Sequence, residues 1–192
     1  MDEAGFETAH VVGNSLGGFV ALQVAARGRA RSVVALAPAG GWAEDDASVS
    51  ETLEFFVSMH GQVKAIAPYA DSIAATPEGR RQATQFIAES FEHIPAELMA
   101  HQIVGVAACD VAPLIEFAGR EGYELDAEAI ECPVRIVWGT EDRILGWPSS
   151  ARRFRERWLP GAEWVELDGV GHCPQLDVPT EAAQLILGFT DR

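Results

Sequence analysis

His10-Val11-Val12-Gly13-Asn14-Ser15-Leu16-Gly17-Gly18 is the stretch on which the reading of this chain turns. Residues 10–12 form a short apolar run of the kind a buried strand needs. A glycine-rich turn follows, and then a helical stretch that Gly28 is placed to stop. A serine framed by glycines between strand and helix sits on a turn sharp enough to hold its hydroxyl clear of the backbone. Such a turn strains the serine, and side chains larger than hydrogen at Gly13 and Gly17 are expected to obstruct it. The helix directs its N-terminal N–H groups to the place where negative charge grows during acyl transfer. The plainer alternative is that Ser15 is simply a helix N-cap.

Outward from the turn, short apolar runs at residues 33–38, 134–138 and 163–167 predict three more strands. Residues 148–158 and 179–189 predict helices beside them. Between the second and third strands the pattern becomes helical. Leu53, Phe56, Val57, Val63 and Ile66 share one face. Thr76 and Pro77 start a second helix, with Ala83, Phe86, Ile87 and Phe91 as its stripe. Further helices are expected over residues 96–107 and 111–119. Residues 1–5 look like the last turn of a helix. The expected organisation is a core of residues 1–40 and 128–192, with residues 41–127 inserted as a helical cap.

A serine hydroxyl needs a base to become a nucleophile. Of His10, His60, His93, His101 and His172, only His172 falls in a loop at the carboxyl end of a predicted strand, after Gly169-Val170-Gly171. Its imidazole needs a carboxylate to fix the tautomer. Asp142 follows the strand at 134–138, with Glu141 beside it and Asp168 and Asp177 as further rivals. The structural alternatives are a salt bridge from Asp142 to Arg143 and a backbone hydrogen bond for His172. Trp147 is read as packing rather than lining a pocket.

The order serine, acid, histidine, together with Gly139-Thr140-Glu141-Asp142 and Gly171-His172-Cys173-Pro174-Gln175-Leu176-Asp177-Val178-Pro179, resembles the serine-nucleophile branch of the α/β-hydrolase family. The resemblance implies an α/β fold with a short, mostly parallel sheet and a helical cap. It also implies a triad of Ser15, Asp142 and His172, with the Leu16 backbone N–H as an oxyanion donor. Family members have strands before the elbow and a second oxyanion donor from a preceding loop. Here four core strands are countable, so the elbow strand is expected at a sheet edge. A homo-oligomer that buries this edge is the expectation, and a cap loop or second chain is a candidate source of the other donor. Three activities stay open: carboxylic-ester hydrolysis, carbon–carbon hydrolysis of aromatic ring-fission products, and a non-catalytic relative. The second takes anionic substrates, for which Lys64, Arg80, Arg81 and Arg120 are available. Serine in place of aspartate argues against epoxide-hydrolase and dehalogenase chemistry.

Composition narrows the partners. The chain has 192 residues, 29 acidic against 14 basic, and a net charge of −15. That balance repels nucleic acid and anionic membranes, so neither is expected as a partner. Arg152, Arg153, Arg155 and Arg157 read as the solvated face of a helix whose other face carries Phe154 and Trp158. Cys109, Cys132 and Cys173 are isolated, without zinc-site spacing, which suggests reduced thiols and no metal or organic cofactor. A cytoplasmic, soluble protein acting on a small-molecule ester is the expectation.

Overall fold

The computed structural model describes residues 1–43, 46 and 48–190. Four parallel strands, β1 (Ala9–Asn14), β2 (Ala30–Leu36), β3 (Val134–Gly139) and β4 (Glu163–Leu167), lie in chain order across one sheet. Because the strands are parallel, their carboxyl ends share one rim, and the loops after β1, β3 and β4 meet there. Alternation along the strands separates two cores. Val33, Ala35, Ile136 and Trp138 face Leu22 and Ala25 of α1 (Leu16–Ala26) and Phe154. Val34, Leu36, Val137 and Leu167 pack with Phe189 on the opposite side. Every residue of β3 is buried, as expected of a central parallel strand.

Among the described residues between β2 and β3, the chain is helical: α2 (Ser48–Ile66), α3 (Ala70–Ala74), α4 (Pro77–Thr84), α5 (Ala96–Ala108) and α6 (Ala112–Glu121). Ala70, Ala74, Ile94, Met99 and Ile103 form a separate small core that Cys173 and Leu176 join from the far loop. The chain closes with α7 (Pro174–Asp177) and α8 (Pro179–Thr190).

Several predicted elements shift. The second strand starts earlier and leaves the sheet at Ala37, whose φ of 39° turns it away from extended backbone. The helix predicted through Phe91 stops at Thr84, whose carbonyl closes the last turn by accepting from the N–H groups of both Ile87 and Ala88, and those of Glu89 and Ser90 then go to the Asp177 carboxylate. The stretch read as a helix over 148–158 is a 3₁₀ turn (Ser149–Ala151) that runs into a π-helical turn (Phe154–Trp158). Residues 2–4 are a single 3₁₀ turn.

Of the four arginines in this stretch, Arg152, Arg155 and Arg157 are exposed as expected, and Arg153 is the exception. Arg153 is largely buried, pairs with Glu124 and stacks on Trp158, its guanidinium 4.0 Å from the ring centroid. Arg155 pairs with Glu166 and lies over Trp147 and Trp164. Trp147 is packed among Trp138, Trp164 and this guanidinium.

Among the described residues β1 has a strand partner on one side only, and its Val12 is 42% exposed. No single helix among the described residues is long and apolar enough to cross a membrane. The segments Ala96–Ala108 and Ala112–Glu121 reach that length and composition only together, across a 64° bend.

Candidate active site

Ser15 stands between β1 and α1 with φ 56° and ψ −124°, a conformation that costs a non-glycine residue about 1–3 kcal/mol. Backbone bonds hold it there. Its N–H donates to Leu36 O at 2.9 Å, and its carbonyl accepts from the N–H groups of Gly18, Phe19 and Ala39. The side chain makes no capping bond to the helix, so the hydroxyl is not spent as an N-cap.

The two flanking glycines are not equivalent. A Cβ on Gly13 would lie 2.1 Å from the Gly17 carbonyl oxygen, so the turn closes only without one. A Cβ on Gly17 would meet nothing within 4 Å, which corrects the expectation that both positions exclude side chains. The second crowded position is Gly18, where a Cβ would come within 3.0 Å of Pro38.

His172 and Asp142 meet in the buried interior of the rim, where His172 Nδ1–H donates to Asp142 Oδ2 at 2.8 Å. The other oxygen, Asp142 Oδ1, accepts from the N–H groups of Ile144 and Leu145 at 2.9 and 2.7 Å. The carboxylate is therefore fully engaged and aimed at the imidazole. Glu141 and Asp168 are exposed. Arg143 turns away from Asp142 to bond Gln85 O and the Glu89 carboxylate. The remaining histidines are elsewhere: His10 bonds Ser32, His93 donates to Leu176 O, and His60 and His101 lie on α2 and α5.

Asn14, to whose side chain sequence reasoning gave no structural role, links the serine to the histidine loop. Its Nδ2 donates to Leu36 O and to His172 O, each at 3.0 Å, and its Oδ1 accepts from Cys173 Sγ–H and Gln175 Nε2–H. The residue before Ser15 thus grips the backbone of His172 itself. The only local signal was an amide in a turn otherwise rich in glycine. Burial, with the negative charge of Asp142 adding to it, pushes the Cys173 thiol up to about 12, so it stays protonated and serves as a donor.

Ser15 and Leu16 open onto a cavity of about 740 Å³, within the range of small-molecule sites. Its walls are mainly apolar, with Phe19 and Trp42 from the core, Phe56 and Met59 from α2, and Leu114 and Phe117 from α6. Arg27, Glu121 and Glu124 are its charged members. Among the described residues, no cluster of three or more His, Cys, Asp or Glu could hold a metal ion.

A family model described as "Alpha/beta hydrolase family" matches residues 2–185. Epoxide hydrolase EphH of Mycobacterium tuberculosis is 32% identical over 208 aligned positions, which take in 100% of this chain and 90% of that protein. Among solved structures, a bacterial membrane phospholipase A is 24% identical with a TM-score of 0.66, over 98% of this chain and 58% of the other. The meta-cleavage product hydrolase of Pseudomonas fluorescens IP01 is 21% identical with a TM-score of 0.63, over 100% and 67%. Carboxylesterase CesB of Bacillus subtilis is 18% identical with a TM-score of 0.61, over 98% and 61%. At these identities the solved structures show a shared fold, and this chain spans 58% to 67% of their lengths.

Proposed function

The chain belongs to the α/β-hydrolase family, and from that premise we propose that it hydrolyses carboxylic esters, with Ser15 as nucleophile, His172 as base and Asp142 as the carboxylate that orients it. Ser15 Oγ attacks the ester carbonyl while its proton passes to His172 Nε2. The oxyanion forms against the Leu16 N–H at the start of α1. Collapse expels the alcohol, which takes the proton from His172 and leaves an acyl group on Ser15. Water then attacks the acyl-enzyme with His172 again as base, releasing the acid and restoring the serine.

The observation that carries this reading is the positive-φ serine opening onto an apolar cavity, tied through Asn14 to a loop whose imidazole is locked on a buried carboxylate. Apolar walls suit a neutral ester with hydrocarbon on its acyl or alcohol side. The test is p-nitrophenyl butyrate hydrolysis by the purified chain and by Ser15→Ala. Release of nitrophenol by the first and not the second supports the reading. Equal rates would overturn it.

The name of the mycobacterial relative raises epoxide opening. Attack by a serine on an epoxide carbon would leave an ether, with no carbonyl for water to attack, so turnover would stop. The carbon–carbon alternative needs cations for its anionic substrates. Arg81 and Arg120 are instead engaged by Glu78 and Glu121, Arg80 donates to Ala74 O, and Arg27 is the cavity's basic residue against two glutamates. A styrene-oxide arm and a dienoate arm in the same assay separate these chemistries, and turnover in either at the ester's rate would displace the present choice.

The open edge of β1, with its Val12 exposed, supports a homo-oligomer in which a second copy covers it. Sedimentation velocity is expected to show a species larger than the monomer. A well-folded monomer at every concentration would contradict it.

A further inference from the structure

Asp177 is buried, and the reaction as written gives it no role. Its carboxylate accepts three backbone N–H bonds: Gly171 and Glu89 on Oδ2, at 2.7 and 2.9 Å, and Ser90 on Oδ1 at 2.6 Å. Gly171 immediately precedes His172. Glu89 and Ser90 belong to the segment after α4, on the cap side of the molecule. One carboxylate therefore spans the histidine loop and the cap.

We propose that Asp177 is a positioning residue for His172, and that its carboxylate couples the imidazole to the cap. The loop around His172 has little freedom apart from this grip. On its other flank the Cys173 N–H donates to Ile87 O at 2.8 Å, and a Cβ on Gly171 would sit 3.1 Å from Ala88 Cα. The cap backbone thus lies directly over the loop. Asp177 is itself rigidly placed, since its N–H returns to Cys173 O at 3.0 Å within the single turn of α7. Beyond the turn that closes α4 on the Thr84 carbonyl, the N–H groups of Glu89 and Ser90 are aimed at Asp177 rather than at the backbone of a longer helix. Arg143 adds a link from the acid loop to Gln85 O and Glu89, so both members of the His172–Asp142 pair are referenced to residues 85–90. A substrate that shifts this segment shifts the base with it. Base and nucleophile must stay aligned closely, and a misplacement of about 1 Å can cost ~10²-fold in rate.

The kinetic consequence rests on the ester-hydrolase reading, so the test carries an arm independent of turnover. Asp177→Asn keeps the volume, but its NH2 must face either the Ser90 N–H or those of Gly171 and Glu89. Proton NMR follows the downfield His172 Nδ1–H held by Asp142, while p-nitrophenyl butyrate gives kcat and KM. The expected result is a kcat lower by about 10–100-fold, KM within about 3-fold, and a broadened or lost resonance. An unchanged resonance and kcat, with only a lowered Tm, would overturn the proposal. Should Asp177→Asn not fold, Ser90→Pro removes one cap donor and leaves Asp177 in place. An undisturbed resonance in that variant would likewise overturn the coupling. A wild-type chain that shows the resonance but no ester turnover would remove the activity reading alone, and the NMR arm would still decide the role of Asp177.

Discussion

The two halves of the candidate site are built differently. The serine half lies at the end of an edge strand and opens onto the apolar cavity, and a strained turn with backbone bonds to Leu36 and Ala39 holds its shape. The histidine half lies beyond the fully buried β3, where Asp142 has three hydrogen-bond donors and the loop is gripped by Asn14, Asp177 and the cap. The proposed nucleophile is thus set by a strained turn and its backbone bonds to β2 and the residues just after it, and the proposed base by polar contacts that cross the molecule. Damage to the first should act through single backbone positions, and damage to the second through polar networks.

The largest expected effect tests the chemistry itself. Ser15→Ala should lower kcat for ester hydrolysis by about 10⁴–10⁶-fold while leaving the melting temperature nearly unchanged, since alanine keeps the Cβ and its backbone strain and the hydroxyl makes no capping bond. Asp142→Asn should cost somewhat less, about 10³–10⁴-fold, because the amide can hold the imidazole in the wrong tautomer. Steady-state kinetics on both variants places the two halves on one scale. A rate loss in Asp142→Asn below ten-fold would show that the buried pair is structural.

Stability separates the glycines. Gly13→Ala should destabilise the fold by about 1–3 kcal/mol or more, because its methyl collides with a backbone carbonyl. Gly17→Ala should be neutral or stabilise by up to ~1 kcal/mol, as alanine is favoured in a helix. Thermal unfolding of the pair checks this, and equal losses would mean that the elbow is not closed as described.

The elbow, the four strands and their rim were legible because each is written in adjacent residues. β4 has the predicted bounds, 163–167, since its run is short and framed by glycines. Asn14 and Asp177 were not legible as hubs, because their partners are fixed only by folding. Asn14 reaches a carbonyl 158 positions away, and Asp177 takes N–H groups 87 and 88 positions away. The helix predicted through Phe91 ends instead in a turn closed on the Thr84 carbonyl, followed by long-range bonds from Glu89 and Ser90 to Asp177, although apolar spacing favoured continuation. The pattern Gly-x-Ser-x-Gly is symmetric on paper, and only packing distinguishes crowded Gly13 from open Gly17.

The smallest effect concerns closure of the histidine half. Cys173, with its thiol pushed up to about 12 and buried, should react with iodoacetamide at pH 8 far more slowly than exposed Cys109. Timed alkylation with peptide mapping reads this directly, and comparable rates would show that the loop beside His172 opens freely.

The most direct test of the account is where a fluorophosphonate probe attaches. Intact mass and peptide mapping should find a single adduct on Ser15 in the wild-type chain, and almost none after the same exposure of His172→Ala. An adduct on another residue, or undiminished labelling of Ser15 without the imidazole, would contradict the claim that these two distant loops act as one nucleophile and base.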